Sequence, residues 1–149
     1  MSGADAPPGV PRILAMVSQS GGLGDVLIAS LFLRALRRWR PDARIDLFCG
    51  PQGAPAARLL GLRSPLVGRP WPGPLDLLAD AWRLRREGRF DEVYSLSEVR
   101  STIWLARAAR ARRTAGYDWE GRGRGLDLRL PWRPEANLAL RHLELLREV

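Results

Sequence analysis

A chain of 149 residues can bury a real core, and 46% hydrophobic against 27% charged residues is a globular composition. One cysteine, Cys49, and one histidine, His142, exclude an internal disulfide framework and the usual metal-ligand clusters, and the lone thiol fits a reducing compartment. The net charge of +8 rests on arginine alone, all 24 of the basic residues, which suits an anionic membrane, an acidic substrate or nucleic acid without choosing between them.

The first segment, "MSGADAPPGVP", has no basic stretch leading into an apolar one and reads as a disordered leader over 1–11, not a secretory signal. "RILAMVSQ" (12–19) is an apolar run of strand length. A helix is predicted from about Gly24 to Trp39, apolar all round at first. Farther along, Phe32, Ala35, Leu36 and Trp39 form one face and Arg34, Arg37, Arg38 and Arg40 the other, until Pro41 stops it. Even its longest apolar run, Val26 to Leu33, is far too short to span a bilayer.

"ARIDLFCG" (43–50) is the second strand, 52–62 a second helix, and "SPLVGRPW" (64–71) a short third strand and turn. Pro74 suits a first helical position, and Leu75, Leu78 and Trp82 make a stripe up to Gly88. "DEVYSLS" (91–97) is a strand, 101–112 an alanine-rich helix, and "RRTAGYD" and "GLDLRLP" two more strands. A last helix covers 135–149 with Ala136, Ala139, Leu140, Leu143 and Leu146 on one face. This alternation predicts an α/β, Rossmann-like doubly wound domain: a mainly parallel sheet of about six strands with helices on both faces. Ligands of such sheets bind at the carboxyl ends of the strands, here Ser18–Asp25, Cys49–Gly53, Ser97–Arg100 and Tyr117–Gly125. The arginines fall at polar positions of the helices and are not interleaved with exposed aromatics, so no nucleic-acid interface is expected.

The most informative stretch is "SQSGGLGDVLIAS" (18–30). Gly21, Gly22 and Gly24 can bring backbone N–H groups close to an anion at a helix start. Their spacing is neither a dinucleotide fingerprint nor a phosphate-binding P-loop. A carboxylate at Asp25 is favoured in the first helical turn on electrostatic grounds alone, so physics by itself leaves Asp25 as a helix-start residue or a reactive one.

The run "RILAMVSQSGGLGDVLIASLFLRALRRWRPDARIDLFCGP" resembles the opening of glycosyltransferase family 9, the ADP-heptose:lipopolysaccharide heptosyltransferases. It carries Gly24-Asp25, the "LRALRR" helix end and Pro41–Asp46 in the family's order. "RFDEVYSLSEVRS", "RRTAGYD" and "RHLELL" are similar to later family segments, so the resemblance covers the chain after residue 11. It implies a bacterial cell-envelope enzyme of GT-B architecture, two Rossmann-like domains, of which 12–149 is the N-terminal, acceptor-binding one without its C-terminal donor-binding domain.

The resemblance further implies an inverting transfer from a nucleotide-sugar donor (ADP-heptose-like) to an anionic glycolipid or glycan acceptor, with no metal and no other cofactor. Asp25 matches the family's proposed base, which takes the acceptor's proton. Gln19, Ser20, Gly21, Gly22 and Gly24 would line the turn beside it, Arg100 and Ser101 match the family's basic-residue–serine pair, and Tyr117 and Asp118 are further binding candidates. Arg100 could hold an acceptor carboxylate or phosphate. Such an enzyme would be cytoplasmic, peripheral at the inner membrane through its arginine-rich face, and inactive without a second domain or partner chain. The family's "D-x-Q-G" is replaced here by Tyr94, Leu96 and Ser97, which favours the alternative of a non-catalytic remnant or binding module for an acidic glycan, a membrane surface or a partner subunit.

Overall fold

The apolar run Ile13–Met16 has to be covered on both faces, and β1 (Arg12–Met16) is buried along its whole length, its opening arginine included. The structure is a computed structural model that describes residues 9–62 and 65–149; most of the expected leader and the start of the expected third strand fall outside them. The elements that follow are α1 (Leu23–Trp39), β2 (Arg44–Cys49), α2 (Ala54–Leu59), β3 (Leu66–Val67), α3 (Pro74–Arg86), β4 (Glu92–Ser95), α4 (Arg100–Ala108), β5 (Arg113–Asp118), β6 (Leu128–Pro131) and α5 (Leu138–Glu148). The six strands form one sheet in the order β3-β2-β1-β4-β5-β6, with every pairing parallel. The chain is therefore a doubly wound α/β fold, as its alternation predicts.

Alternate residues of β1 feed two cores. Ile13, Ala15 and Val17 pack with Val26, Phe32 and Leu36 of α1, the alanines of α2 and Leu145 of α5. Leu14 and Met16 pack on the other face with Ala81 and Leu84 of α3 and Ile103 and Ala106 of α4. Each core excludes water from one side of the sheet, and their hydrophobic burial is what holds the strands' carboxyl ends in register.

Three predicted helix faces need correction. In α3 the apolar stripe read from the sequence lies outside: Leu75, Leu78 and Trp82 are 80%, 57% and 60% exposed, while Asp80, Ala81 and Leu84 are buried. Both sets have helical spacing, and the inward one is chosen by contact with the sheet and by the buried bond from Gln19 Nε2 to Asp80 Oδ2 at 2.9 Å. In α5 the buried positions are Arg141, His142 and Leu145, and Leu140 faces solvent. Arg141 is drawn in because its guanidinium donates to the Pro131 carbonyl, pairs with Glu144 and lies over the Tyr117 ring. In α1 the start is not deeply buried all round, since Leu23, Leu27 and Leu31 are about half exposed and Trp39 is also partly outside.

The turns after β1 and β2 touch through backbone. A methyl group on Gly50 would lie 1.9 Å from the Gln19 carbonyl oxygen, a contact that no rotamer change relieves. Gly50→Ala is expected to cost about 3 kcal/mol by forcing the two loops apart, the cost of overpacking a tight site. Urea unfolding of the variant would measure it, and a loss below about 1 kcal/mol would mean that the loops separate freely.

Candidate functional site

In a sheet of this order the strand sequence reverses between β1 and β4, and the crevice beyond their carboxyl ends is where ligands bind. A cavity of about 280 Å³ sits there. Its walls come from the loop after β1 (Val17, Ser18, Ser20, Gly21), from Asp25 in α1, from Leu96–Val99 after β4, from Trp71, and from Leu138 and His142 of α5.

The loop after β1 is shaped by short bonds. Val17 N–H donates to the Phe48 carbonyl at 3.0 Å, and Gly21 N–H donates to the Ser18 carbonyl at 3.1 Å, closing a turn. Gly22 caps α1 with extended backbone and has no side chain to offer, so Asp25 stands at the third helical position. Asp76 occupies the same position in α3, behind the glycine cap Gly73, and there the carboxylate accepts the cap's N–H at 3.1 Å. Asp25 makes no such bond: among the described residues its carboxylate has no hydrogen-bond or ion-pair partner, and it folds back over Gly21 toward the cavity. A Cβ on Gly21 would fall 1.9 Å from Asp25 Oδ2, so only glycine at 21 leaves the carboxylate where it is.

His142 closes the opposite side. It is 1% exposed, its Nδ1 lies 2.7 Å from the Tyr117 hydroxyl, and its ring meets Phe32 edge-on. Burial pushes the Tyr117 phenol up and the His142 imidazole down to about 4. A protonated phenol thus shares a hydrogen bond with a neutral ring. The folded value lies below the unfolded value of 6.5, so the unfolded chain holds the extra proton between them and stability is lost as pH falls from 6.5 toward 4. The loss is expected to reach about 3 kcal/mol at the acid end. In His142→Gln, which keeps a partner for Tyr117, urea midpoints at pH 7 and pH 4.5 should differ less than in the parent; an unchanged difference assigns the acid sensitivity to other groups.

The other expected site residues are distributed differently. Ser20 and Gly21 line the cavity with Asp25. Gln19 does not: it is buried and bonded to Asp80 beneath α3, where it holds the loop down. Gly22 and Gly24 lie at the helix start outside the lining, Gly24 with open space about its Cα. Arg100 and Ser101 border a separate groove with Pro74, Leu77, Leu78 and Trp104. Tyr117 is wholly buried behind His142, and the Asp118 carboxylate accepts the Gly123 N–H at 2.9 Å, ordering its own loop.

Sequence reasoning missed Trp71, Leu138 and His142, which reach the cavity from distant parts of the chain. Trp71 leaves one local sign, a left-handed φ of 50° that a bulky side chain rarely adopts, but only the structure reveals it. Ser97 stays as a wall residue, its Oγ accepting the Val99 N–H at 3.1 Å. Cys49 is a core residue whose thiol burial pushes up to about 11. Among the described residues no cluster of His, Cys, Asp and Glu could hold a metal ion, and no helix is long and apolar enough to cross a membrane.

A doubly wound parallel sheet with a cavity at its switch point defines the class: a Rossmann-like α/β domain. Within that class the fold is similar to one domain of solved glycosyltransferases. It is similar to a glycosyltransferase family 9 protein from Veillonella parvula (TM-score 0.74, 19% identity, covering 93% of this chain and 40% of that one). It is also similar to E. coli heptosyltransferase WaaC, solved with ADP-2-deoxy-2-fluoro heptose (0.70, 17%, 92% and 47%), and to E. coli ADP-heptose LPS heptosyltransferase II (0.65, 23%, 90% and 39%). The chain spans less than half the length of these three proteins. No family model matches the chain, and no curated protein matches it.

Proposed function

We propose that this chain is the acceptor-side domain of an inverting glycosyltransferase, with Asp25 as the general base. The observation that carries the reading is the contrast between two carboxylates at one helical position: Asp76 caps its helix, whereas Asp25 has no partner among the described residues and is turned into the cavity. A carboxylate held free of local bonds keeps its lone pairs for a substrate proton. The shared fold of glycosyltransferases at the same architecture supports the choice of reaction.

In the proposed step an acceptor hydroxyl lies against Asp25. The carboxylate takes its proton as the oxygen attacks the anomeric carbon of the donor sugar, and the nucleoside diphosphate departs from the opposite face with the bonding electrons. Ser18 and Ser20 offer hydroxyls, and Leu96, Leu138 and Trp71 offer apolar walls to an acceptor sugar. The donor, an ADP-heptose-like nucleotide sugar, would be held by a second domain or a partner chain. The acceptor would be a membrane-borne glycolipid or a glycan met on the cytoplasmic side.

The test is to join the chain to a donor-binding domain, as a fusion or as a second chain, and follow sugar transfer from ADP-heptose to a lipid-linked acceptor. Transfer that needs this chain supports the reading. A second reading, a binding module that does no chemistry, is favoured by Tyr94, Leu96 and Ser97 standing where the family it resembles carries D-x-Q-G. Saturable acceptor binding together with no transfer in any such pairing would decide for it.

A further inference from the structure

The cavity beyond β1 and β4 carries the charge opposite to that of the chain around it. All 24 basic residues are arginines and the net charge is +8, yet among the described residues no arginine lines the cavity. Apart from His142, its ionisable walls are two acids, Asp25 of α1 and Glu98 from the loop after β4. Elsewhere in the fold arginines answer carboxylates closely, pairing with Asp46, Asp76 and Glu92 within 2.7 Å. Neither cavity acid is answered in this way among the described residues. Arg100, which the sequence offers as the holder of an acidic group, borders a separate groove. An anion inside the cavity would therefore meet two carboxylates and no cation, a like-charge encounter that costs far more in a protein crevice than in water.

The remaining polar walls suit hydroxyl groups. Ser18, Ser20 and Ser97 bring hydroxyls, which both donate and accept. His142 is 1% exposed and its Nδ1 is taken by the Tyr117 hydroxyl at 2.7 Å. Its Nε2 has no partner among the described residues and is not sealed in the core, so the opening it meets is the cavity. In either tautomer of the neutral ring Nε2 offers one hydrogen bond, as donor or acceptor, and a hydroxyl answers both; a carboxylate answers only a donor. Burial holds the ring neutral down to about 4, so it lends the cavity no positive charge at neutral pH. Trp71 stands at the rim with its backbone N–H on Ser20 Oγ at 3.3 Å and its indole exposed, an apolar platform of ring size. A few placed polar groups beside an aromatic wall are the makings of a small-molecule site.

We infer that the cavity takes an uncharged polyhydroxylated sugar ring, hydrogen-bonded to His142 across from Asp25, and rejects sugar acids and sugar phosphates. The preference for an uncharged ring stands on the cavity walls alone; that this ring is the acceptor rests on the proposed transferase reading. Any acidic group of the acceptor then stays outside the cavity. An amino sugar is disfavoured on the same reading, because its ammonium group would pair with Asp25 and occupy the lone pairs that take the proton.

Methyl glucoside, its uronate and its 6-amino-6-deoxy analogue share one ring and differ only in the charge at the last carbon, so NMR titration of the chain with each tests the inference. The glucoside should saturate, the uronate should bind at least about tenfold more weakly, and the amine no more tightly than the glucoside. His142 is the one histidine of the chain, so its ring nitrogens report on the cavity directly, and the Nε2 signal should move as the glucoside binds. Glu98→Gln removes one cavity charge and should narrow the uronate's deficit at least about threefold. Circular dichroism should show this variant folded, since Glu98 has no partner to lose among the described residues. Uronate binding as tight as the glucoside's, tighter binding of the amine, or no binding of any of the three overturns the inference. So does an unchanged deficit in Glu98→Gln, or a fixed His142 ring while the glucoside saturates. The transferase reading fails separately. In the chain completed by a donor-binding domain, transfer to the uronate as readily as to the glucoside overturns the inference and leaves that reading standing, whereas preferred glucoside binding without transfer in any pairing does the reverse.

Discussion

Asp25→Asn, in the chain completed by a donor-binding domain, is expected to lower kcat by about 10²–10⁴-fold while acceptor affinity stays within a few-fold, the usual measure of a general base. The amide is nearly isosteric with the carboxylate and keeps an oxygen for hydrogen bonding, but it cannot accept the acceptor's proton. Because Asp25 forms no capping bond in the folded chain, its replacement should cost little stability, which separates a chemical role from a structural one. Gly21→Ala gives an independent reading of the same site. Its methyl group would occupy the position of Asp25 Oδ2, so the carboxylate must swing away although the chemistry of residue 25 is unchanged. Transfer should fall in this variant too, with a stability loss that is small because the displaced atoms end a flexible side chain. Single-turnover transfer and acceptor calorimetry would measure both variants. Full transfer by Asp25→Asn would remove Asp25 as the base and leave the cavity as a binding site only.

Arg12→Ala is expected to be the most destabilising single replacement outside the apolar core, costing about 3–5 kcal/mol and lowering Tm by on the order of 10 °C. Arg12 opens β1 and is only 7% exposed, yet its guanidinium ties four segments together. It pairs with Asp46 of β2 at 2.7 Å, donates to the Glu87 carbonyl at the end of α3, and lies 4.7 Å over the Phe90 ring before β4. Its backbone N–H donates to Asp91 at 2.9 Å. Removing the cation leaves the Asp46 carboxylate, 11% exposed, with only the partly exposed Arg44 at 3.1 Å. The paired replacement Arg12→Met with Asp46→Leu should recover much of the loss, because a buried ion pair costs most when only one partner is taken away. Thermal unfolding of the single and double variants checks this, and additive losses would show that the pair is not coupled.

The same pair shows how much of the molecule is legible in the chain. The resemblance of the opening block picks out Asp46 as part of a motif, but its spacing does not say why an acid belongs in a strand; the reason is Arg12, 34 positions earlier in sequence. Element type and order were readable throughout, because burial on both sides of a parallel sheet demands apolar runs such as "ILAM" (13–16), and glycines and prolines punctuate the gaps between them. Asp25, Ser20 and Gly21, which line the cavity, were readable as candidates because they fall in one short stretch of the chain.

What the chain by itself determined, then, is the alternation of elements, the parallel sheet and one wall of the cavity, all set by local periodicity and turn chemistry. Tertiary structure decided which side of each helix faces inward, because α3 carries two apolar stripes of equal spacing and only contact with the sheet selects Leu77, Ala81 and Leu84 over Leu75, Leu78 and Trp82. It also decided the far walls of the cavity. Trp71 and His142 are 71 residues apart and come together only when α5 returns across the sheet to pack on α1, a long-range closure that no local pattern encodes.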